Sequence, residues 1–430
     1  MKSKISSRAA MAVVIANMIG TGVFTSLGFQ LVSTKNTWSI ILLWSLGAIM
    51  AISGALSYAE LGTKLTRSGG EYHFLSVVYN KFAGYLSGWA SLTVGFAAPI
   101  ALAAMAAGAY TEKYFGINDK LIASILIVVV SLFHMFNLKR SSQFQNTTTF
   151  IKILVIFIFI AIGLFTPSET TSFDWSNQWQ NEILLPSFAV SLVYVSYSFS
   201  GWNAAAYIVD EIKNVNRNLP IALIGGTLLV SVFYILLQIV FLKQAPMSLL
   251  VGQVEIGQIV ADNIFGSIGG KVISGLIAFM LVSSISAMVW VGPRVTKAMA
   301  EDYQLWKFLS KTNKNGIPNK AIILQAIISL TMVFTGSFDQ ILTYSAFILQ
   351  LFVSLTVLSL FFIRKNNDLS GYKSPLFPLP QIIFLLISLW ILIYLLVEQP
   401  IESLIGIGIL LLGALSFLFN KAIKSKKIKT

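Results

Sequence analysis

The stretch that decides the fold is IANMIGTGVF, residues 15–24, in the middle of the first long apolar segment. Gly20, Thr21 and Gly22 weaken a helix at a depth where a simple membrane anchor would carry Leu or Val. A break there frees backbone N–H and C=O groups that lipid cannot satisfy. Unwound backbone at that depth must therefore be buried in protein or line a cavity. The stretch predicts a discontinuous helix with a binding site at mid-membrane depth.

The composition of the whole chain is typical of a polytopic membrane protein. Of the 430 residues, 56% are hydrophobic and 11% are charged, and the mean hydropathy is +0.78. There is no cysteine, and the two histidines, His73 and His134, lie far apart, so we expect no disulfide and no metal centre. The basic residues behind the net charge of +13 lie between hydrophobic spans and not in a basic domain. They therefore indicate which side of the membrane each loop occupies, and they do not indicate nucleic acid binding. We expect no cofactor.

Apolar runs of roughly 18–25 residues can each cross a bilayer, and the sequence contains twelve of them. Because no clear cleavage site follows the first run, we interpret it as an uncleaved helix and not as a signal peptide. The twelve predicted spans lie near residues 9–31, 39–62, 84–110, 119–138, 148–166, 184–209, 219–242, 268–296, 320–336, 340–363, 380–397 and 401–420.

The Lys and Arg residues are unevenly divided between the two sides that these spans define. With the N-terminus in the cytoplasm, 25 of the 30 fall on the cytoplasmic side. This positive-inside bias supports twelve spans and predicts a multi-pass protein of the cell membrane with both termini in the cytoplasm. Because the loops are short, we expect a single membrane domain over residues 1–430. The five exceptions are Lys35, Lys113, Lys120, Lys243 and Lys271.

The sixth span carries a second interruption, SYSFSGWN at residues 196–203, where Ser, Gly and Asn again break an apolar run. The two breaks are five spans apart. Because five is odd, a second copy of a five-helix unit would enter the membrane from the opposite face. Matching interruptions in two halves are expected of an inverted repeat with its site between them. This inference rests on position alone, since the halves show no visible similarity residue by residue.

Three motifs resemble those of the amino acid–polyamine–organocation (APC) superfamily. They are the glycine-rich stretch at 17–24, the string FSGWNAAAYIVDEIKNVNRNLP at 199–220, and the end of the eighth span at 292–302. The string at 199–220 is the most specific of them and is similar to that of the L-type amino acid transporter branch. The resemblance covers most of the chain.

This resemblance implies an all-α LeuT-type fold of twelve transmembrane helices, in which helices 1 and 6 are discontinuous. Two inverted five-helix repeats, about 9–166 and 184–363, would be followed by helices 11 and 12 at about 380–420. It also implies secondary transport of amino acids by alternating access, by exchange or with protons and not with sodium.

The two breaks offer partners for both ends of a zwitterionic amino acid. The helix that begins at Gly22 points free N–H groups and a positive dipole end toward a carboxylate. Carbonyls at the end of the preceding half-helix suit an ammonium group, and carbonyls in the sixth span complete that cage. The alternative for Gly20 and Gly22 is close helix packing. The candidate substrate-binding residues are Asn17, Met18, Ile19, Gly20, Thr21 and Gly22 in the first span and Tyr197, Ser198, Phe199, Gly201, Trp202 and Asn203 in the sixth.

The aromatic residues beside the second break have two interpretations. The resemblance implies a gate over the substrate at the position of Tyr197, whereas Phe199 and Trp202 serve equally well as gate or core residues. Asn203 either binds substrate or holds the unwound turn.

Lys152 lies within the fifth span. It either snorkels to the cytoplasmic surface or, as the resemblance implies, places its ammonium where relatives bind sodium. In the second case it bridges first-span carbonyls to the hydroxyl of Ser283 or Ser284, and transport needs no sodium. An intramembrane cation is a functional candidate by default.

Neither break contains Asp or Glu, which favours neutral amino acids over cationic ones because a buried unpaired cation is costly. At the cytoplasmic boundary, Glu60, Asp210 and Glu211 either pair with basic residues or form plain solvated helix ends. The candidate partners are Arg67, Lys213, Arg217 and Arg294. The expected partners of the protein are an amino acid, the lipid bilayer and protons as a coupling ion, and not nucleic acid.

Other functions remain open at this stage. They are a cationic amino acid or polyamine antiporter of the same superfamily, a channel, and an amino acid sensor. An embedded enzyme is disfavoured, since the spans carry no catalytic constellation and the chain has no Walker motif. The particular amino acid, the choice between exchange and proton symport, and the oligomeric state stay undetermined.

Overall fold

A computed structural model describes most of the chain as helix. In the part of the chain that the structure describes, the only β-structure is an isolated bridge between Ile5 and Ile212. Side chains are described except at 113–115, 138–146 and 424–428. Some of the Lys and Arg residues counted for the topology lie outside the described side chains, namely Lys113, Lys139, Arg140, Lys424, Lys426 and Lys427, and Lys2 and Lys429 lie outside the described residues. The described residues are 4–136, 138–168, 173–365 and 371–428.

The helices follow one another along the chain with short connections. They are α1 (Ser7–Met18), α2 (Gly22–Gln30), α3 (Thr37–Lys64), α4 (Glu71–Val78), α5 (Lys81–Ala90), the π-helix η1 (Ser91–Gly95), α6 (Ala97–Phe115), α7 (Asp119–Phe136), α8 (Leu138–Phe165), α9 (Trp179–Glu182), α10 (Pro186–Phe199), the 3₁₀-helix η2 (Ala204–Glu211), α11 (Val215–Gln244), α12 (Met247–Leu250), α13 (Ile256–Asp302), the 3₁₀-helix η3 (Gln304–Leu309), α14 (Asn319–Thr335), α15 (Phe338–Lys365), α16 (Leu379–Glu398) and α17 (Pro400–Ile428).

Ten helical segments in the described ranges are long and apolar enough to cross a membrane. Two of the predicted spans are not among these ten, because their helices are too short. The sixth consists of two short helices, α10 and η2, and the ninth is the 17-residue helix α14. The all-α, multi-pass class is confirmed, and the count of twelve stays a prediction.

The first and third predicted spans form the centre of the bundle. In their most apolar windows, 83% and 78% of the residues are buried, against 17% in α17. The third span is rich in alanine from Ala97 to Ala107, and α6 packs along α13 there. Small side chains allow helix backbones to approach closely in a membrane. The outer helix α17 instead exposes leucines, as a lipid-facing surface requires.

The helix of the eighth predicted span differs from its predicted bounds of 268–296. In the structure α13 begins at Ile256 and bends at Gly266, where φ is +70°. The added segment carries Gln258 and Asp262, so a hydropathy window does not include it. Ile256 and Val260 are nevertheless fully buried, which anchors the segment to the core.

Gly28 in α2 is a position where the fold allows no side chain. A Cβ there would lie 2.1 Å from the carbonyl oxygen of Gln253, and the Gly252 N–H donates to the Gly28 carbonyl at 2.8 Å. We expect Gly28→Ala to lower the free energy of unfolding by about 1–3 kcal/mol, because the backbone of the facing segment must move.

The measurement is the midpoint of thermal unfolding in detergent. Gly275→Ala is the matched control, since its Cβ meets no atom within 4 Å on an exposed face of α13. Equal midpoints for the two variants would contradict the predicted close approach.

Candidate functional site

The first span breaks at Ile19–Thr21. Helix α1 ends at Met18, and the N–H of Ile19 still donates to the Ile15 carbonyl. Helix α2 then begins at Gly22 with no side chain capping its N-terminus. The first N–H groups of a helix have no intrahelical partner, so this end presents donors to the space beside it.

The sixth span breaks between Phe199 and Ala204. Helix α10 ends at Phe199, and the chain resumes at Ala204 as the 3₁₀-helix η2. Gly201 lies between them with φ at +96°, a conformation that glycine adopts without strain. The structure therefore interrupts both spans at the predicted places.

The two breaks touch each other through glycines. A Cβ on Gly201 would lie 2.7 Å from the carbonyl carbon of Asn17, and a Cβ on Gly22 would lie 2.5 Å from the Cα of Ser198. Ser26 and Ser198 share a hydrogen bond of 2.8 Å between their hydroxyls beside this contact. The backbones of the two spans thus meet at one site, as the close-packing alternative for the first-span glycines also requires.

A cavity of about 90 Å³ lies at this meeting point, next to a smaller one of about 10 Å³. Of the predicted site residues, Asn17, Tyr197, Phe199, Gly201, Trp202 and Asn203 line the larger cavity. Met18, Gly20, Thr21, Gly22 and Ser198 line the smaller one together with Asn17 and Tyr197. Ile19 lines neither cavity.

Most of the rest of the larger cavity's wall comes from five further spans and was not predicted. It includes Gly47, Met50 and Ala51 of α3, Gly95, Phe96 and Pro99 of the third span, Met288 of α13, Ala346, Leu349, Gln350 and Val353 of α15, and Phe384 of α16.

No residue of the described lining is charged. Its polar side chains include Ser196 and Gln350, whose Oε1 accepts from the Ser196 hydroxyl at 3.1 Å. Gln350 Nε2 donates to Ser388 of α16 at 2.6 Å. Polar residues inside an apolar span are functional candidates, so Gln350 could have been singled out from the sequence, although its place in this wall could not.

The three aromatic residues of the second break differ in their surroundings. Tyr197 lines both cavities and is buried. Phe199 packs with its ring centroid 5.1 Å from that of Tyr234, and Trp202 packs 4.8 Å from Tyr58. Phe199 and Trp202 are thus wall residues supported from behind, and Tyr197 bridges the two cavities.

Lys152 is completely buried, so the snorkelling alternative is wrong. Its Nζ donates to the Ile19 carbonyl at 2.7 Å, to Ser284 Oγ at 2.8 Å and to the Ala16 carbonyl at 3.3 Å. Ser284 also donates to the Ile19 carbonyl at 2.8 Å. Of the two serines left open by the sequence, Ser283 instead donates to Thr148 Oγ1 at 2.8 Å.

Other carbonyls at the end of α1 also have partners within the protein. The Tyr234 hydroxyl of α11 donates to the Met18 carbonyl at 2.6 Å, and the Asn17 side-chain amide donates back to Val13 at 2.8 Å. The first-span ammonium cage predicted from the sequence therefore shares its Met18 and Ile19 oxygens with Tyr234 and Lys152.

The acidic residues at the boundary are paired. Glu211 accepts from Arg294 at 3.0 Å, and Asp210 accepts from Ser68. Glu60 is buried and accepts from Arg364 Nε at 2.9 Å, so it is not a solvated helix end. Arg364, at the end of α15, was not among the predicted partners of Glu60.

Two broken helices around an uncharged, buried cavity define a class, the membrane proteins that bind a small solute at mid-membrane depth. The family model for amino acid permeases matches residues 5–415, and the chain belongs to that family. The predicted resemblance to the APC superfamily is confirmed.

Several relatives are similar over nearly the whole chain. The b(0,+)-type amino acid transporter 1 of Mus musculus is 27% identical, over 97% of this chain and 88% of its own length. The serine/threonine exchanger SteT of Bacillus subtilis (strain 168) is 28% identical, over 91% of each chain. The large neutral amino acids transporter small subunit 2 of Mus musculus is 25% identical, over 96% of this chain and 80% of its own length. These relatives are transporters or exchangers and not enzymes, which supports amino acid transport as the function.

The two glycines of the first break give a matched test of the site. Gly22→Ala places a methyl group 2.5 Å from Ser198, whereas the nearest atom to a Cβ on Gly20 is 3.8 Å away. Overpacking of this kind costs about 1–3 kcal/mol, so we expect Gly22→Ala to lower amino acid uptake into proteoliposomes about fivefold or more. Gly20→Ala is the control and should lose much less. Equal losses in the two variants would contradict the role of the contact between Gly22 and Ser198.

Proposed function

We propose that this protein moves neutral L-amino acids across the cell membrane by alternating access, without sodium, by exchange or with protons. The observation that carries the proposal is the absence of charged side chains from the described lining of the cavity between the two breaks. A buried cationic side chain without a counter-charge is costly, so the cavity favours substrates whose side chain is neutral.

The backbone at the breaks supplies the partners for the two charged ends of the substrate. The uncapped N-terminus of α2 at Gly22 provides N–H donors and a positive dipole end for the carboxylate. Carbonyls near Asn17, Ser198 and Phe199 provide acceptors for the ammonium group. Asn17 lines both cavities, which supports this orientation.

The fold that we propose has twelve spans in a LeuT-type arrangement. To the ten apolar segments it adds the broken sixth span and the short helix α14. Residues about 9–166 and 184–363 then form two inverted repeats, followed by α16 and α17, with both termini in the cytoplasm. Interruptions in the first span of each repeat support this assignment.

The names of two relatives agree with a neutral substrate. One relative exchanges serine and threonine, and another transports large neutral amino acids. The first of these names also supports exchange as the mode of transport. Tyr197, which bridges the two cavities, is the residue that we assign as the gate over the substrate.

We assign Lys152 the place of a sodium ion. Its ammonium lies within hydrogen-bonding distance of two carbonyls of the first break and of Ser284 in α13. A fixed cation in this position stabilises the broken end of α1, so no sodium ion is needed there.

Uptake into proteoliposomes tests the proposal. We expect labelled alanine, serine or leucine to enter vesicles loaded with unlabelled amino acid, at equal rates with and without sodium. Uptake into empty vesicles that requires an inward proton gradient would identify a symporter within the same proposal. If no neutral amino acid enters under any gradient, the neutral substrate class is wrong, and cationic amino acids and polyamines become the substrates to test.

Three substitutions test the role of Lys152. Lys152→Ala removes the donor to the buried Ala16 carbonyl and one of the two donors to the Ile19 carbonyl. A buried group left unpaired costs about 1–3 kcal/mol, so uptake in sodium-free buffer should fall about fivefold or more. Ser284→Ala removes one contact of the ammonium and should have a smaller effect. Ser283→Ala is the control, because Ser283 contacts Thr148. Full, sodium-independent uptake by Lys152→Ala would show that Lys152 does not take the place of a sodium ion.

A further inference from the structure

A second buried ionisable group lies directly behind the cavity and has no part in the mechanism above. Glu71 is the first residue of α4, which follows the turn at Gly69 and Gly70. Its side chain is only 3% exposed. Glu71 does not line the cavity, but two of its three hydrogen-bond partners do.

One oxygen of Glu71 accepts three hydrogen bonds. The donors to Oε1 are Asn203 Nδ2 at 2.6 Å, the Tyr58 hydroxyl at 2.7 Å and the Tyr207 hydroxyl at 3.1 Å. Asn203 and Tyr207 lie at the start and the middle of the second half of the sixth span, and both line the cavity. A single carboxylate therefore holds two residues of the cavity wall.

The turn before Glu71 packs on the same half-helix. The Gly69 N–H donates to the Tyr207 carbonyl at 3.2 Å, and a Cβ on Gly70 would lie 2.3 Å from the Tyr207 ring. This close approach leaves Tyr207 little room to move while its hydroxyl is bonded. The position of η2 thus depends on α4 through both backbone and side-chain contacts.

No cation balances Glu71 among the described contacts. The titratable groups that face it are Tyr58 from α3 and Tyr207 from η2, and His73 lies two residues further along α4. Charged groups on the surrounding elements have other partners or face outward. Glu60 pairs with Arg364 of α15, Glu211 with Arg294, Arg67 with Asp302, Asp210 accepts from Ser68, Tyr72 donates to Asp302, and Lys81 of α5 is exposed.

We propose that Glu71 is a positioning residue that holds the second half of the sixth span, through Asn203 and Tyr207, only while it is a carboxylate, so that its protonation releases this wall of the cavity. The consequence for transport rests on the proposed function, and the release itself does not. Hydrogen bonds to an ionised acceptor are roughly twice as strong as neutral ones, so loss of the charge weakens both contacts at once.

The sign of the pH dependence follows from the surroundings of Glu71. Burial raises the pKa of Glu71, and the hydrogen bonds from Tyr58, Tyr207 and Asn203 lower it again by a smaller amount. With the folded pKa above the ordinary value, the carboxylate is present at higher pH and is lost as the pH falls through that raised pKa. The half-helix is therefore held at the higher pH and released under acidic conditions.

Cysteine labelling tests the release without any substrate. The chain has no cysteine, so Ala206→Cys places a single thiol on the buried face of η2. The protein is reconstituted in lipid nanodiscs, where both faces meet the buffer, and is reacted with a membrane-impermeant maleimide from about pH 5 to pH 8, which covers the titration of a buried carboxyl group. Rates are divided by those of Thr312→Cys, an exposed site, to remove the pH dependence of the thiol itself.

We expect relative labelling to rise several-fold as the pH falls. Glu71→Gln should give fast labelling that no longer changes with pH. Tyr58→Phe removes one donor to the carboxylate without altering the cavity lining, so the midpoint should move upward by about one pH unit. Glu112→Gln, an exposed carboxyl at the end of the third span, is the control and should keep the original midpoint.

Two results would overturn the proposal. One is a pH curve in Glu71→Gln equal to that of the parent, and the other is an unchanged midpoint in Tyr58→Phe. If Glu71→Gln does not assemble, the midpoint of Tyr58→Phe alone decides. Because the labelling needs no amino acid, a wrong substrate assignment would not disturb it. If Glu71 had a purely structural role, its substitution would slow transport or destabilise the protein without shifting the midpoint of the labelling curve against pH.

Discussion

The contact between the Lys152 ammonium and the open end of α1 is the interaction on which the site depends. Breaking a helix inside a membrane frees carbonyls that lipid cannot satisfy, and a buried cation likewise needs partners. The two requirements satisfy each other where Nζ meets the Ala16 and Ile19 carbonyls, and a cation also suits the negative end of a helix dipole. Because Ser284 joins the same cluster, the first span is fixed against α8 and α13 at the point where it unwinds.

The other requirement of a broken helix is space for a second backbone, and glycine supplies it. Gly22 faces Ser198 and Gly201 faces Asn17, so each break contributes a glycine to the surface that the other break contacts. The two interruptions are therefore not independent features of the chain. Each one leaves backbone groups that the neighbouring span, or a bound zwitterion, must satisfy, which agrees with the position of the cavity between them.

Sequence reasoning located both breaks and the buried lysine, because glycine, hydroxyl and cationic residues are conspicuous inside apolar runs. It could not choose between Ser283 and Ser284, since adjacent residues on a helix point about 100° apart and only the packing of α13 decides which one faces Lys152. The wall formed by Met50, Gln350 and Phe384 depends on how distant spans pack, which no local pattern encodes. The early start of α13 was missed because its first turns are polar, although Ile256 anchors them.

The arrangement of charge around the cavity explains how one site can be both uncharged and well ordered. A carboxylate in the lining would attract cationic side chains and would carry a large desolvation penalty when the site was empty. Glu71 avoids the first effect because Asn203 and Tyr207 stand between it and the cavity, and the hydrogen bonds that they donate offset part of the cost of its burial. Its side chain accepts from the amide of Asn203 and the hydroxyl of Tyr207, while the described lining of the cavity carries no charged side chain. Lys152 acts in the same way on the first span, since its ammonium binds the backbone behind the break and lines neither cavity. At both broken helices the buried charge thus lies one layer behind the cavity lining, which leaves the lining itself neutral.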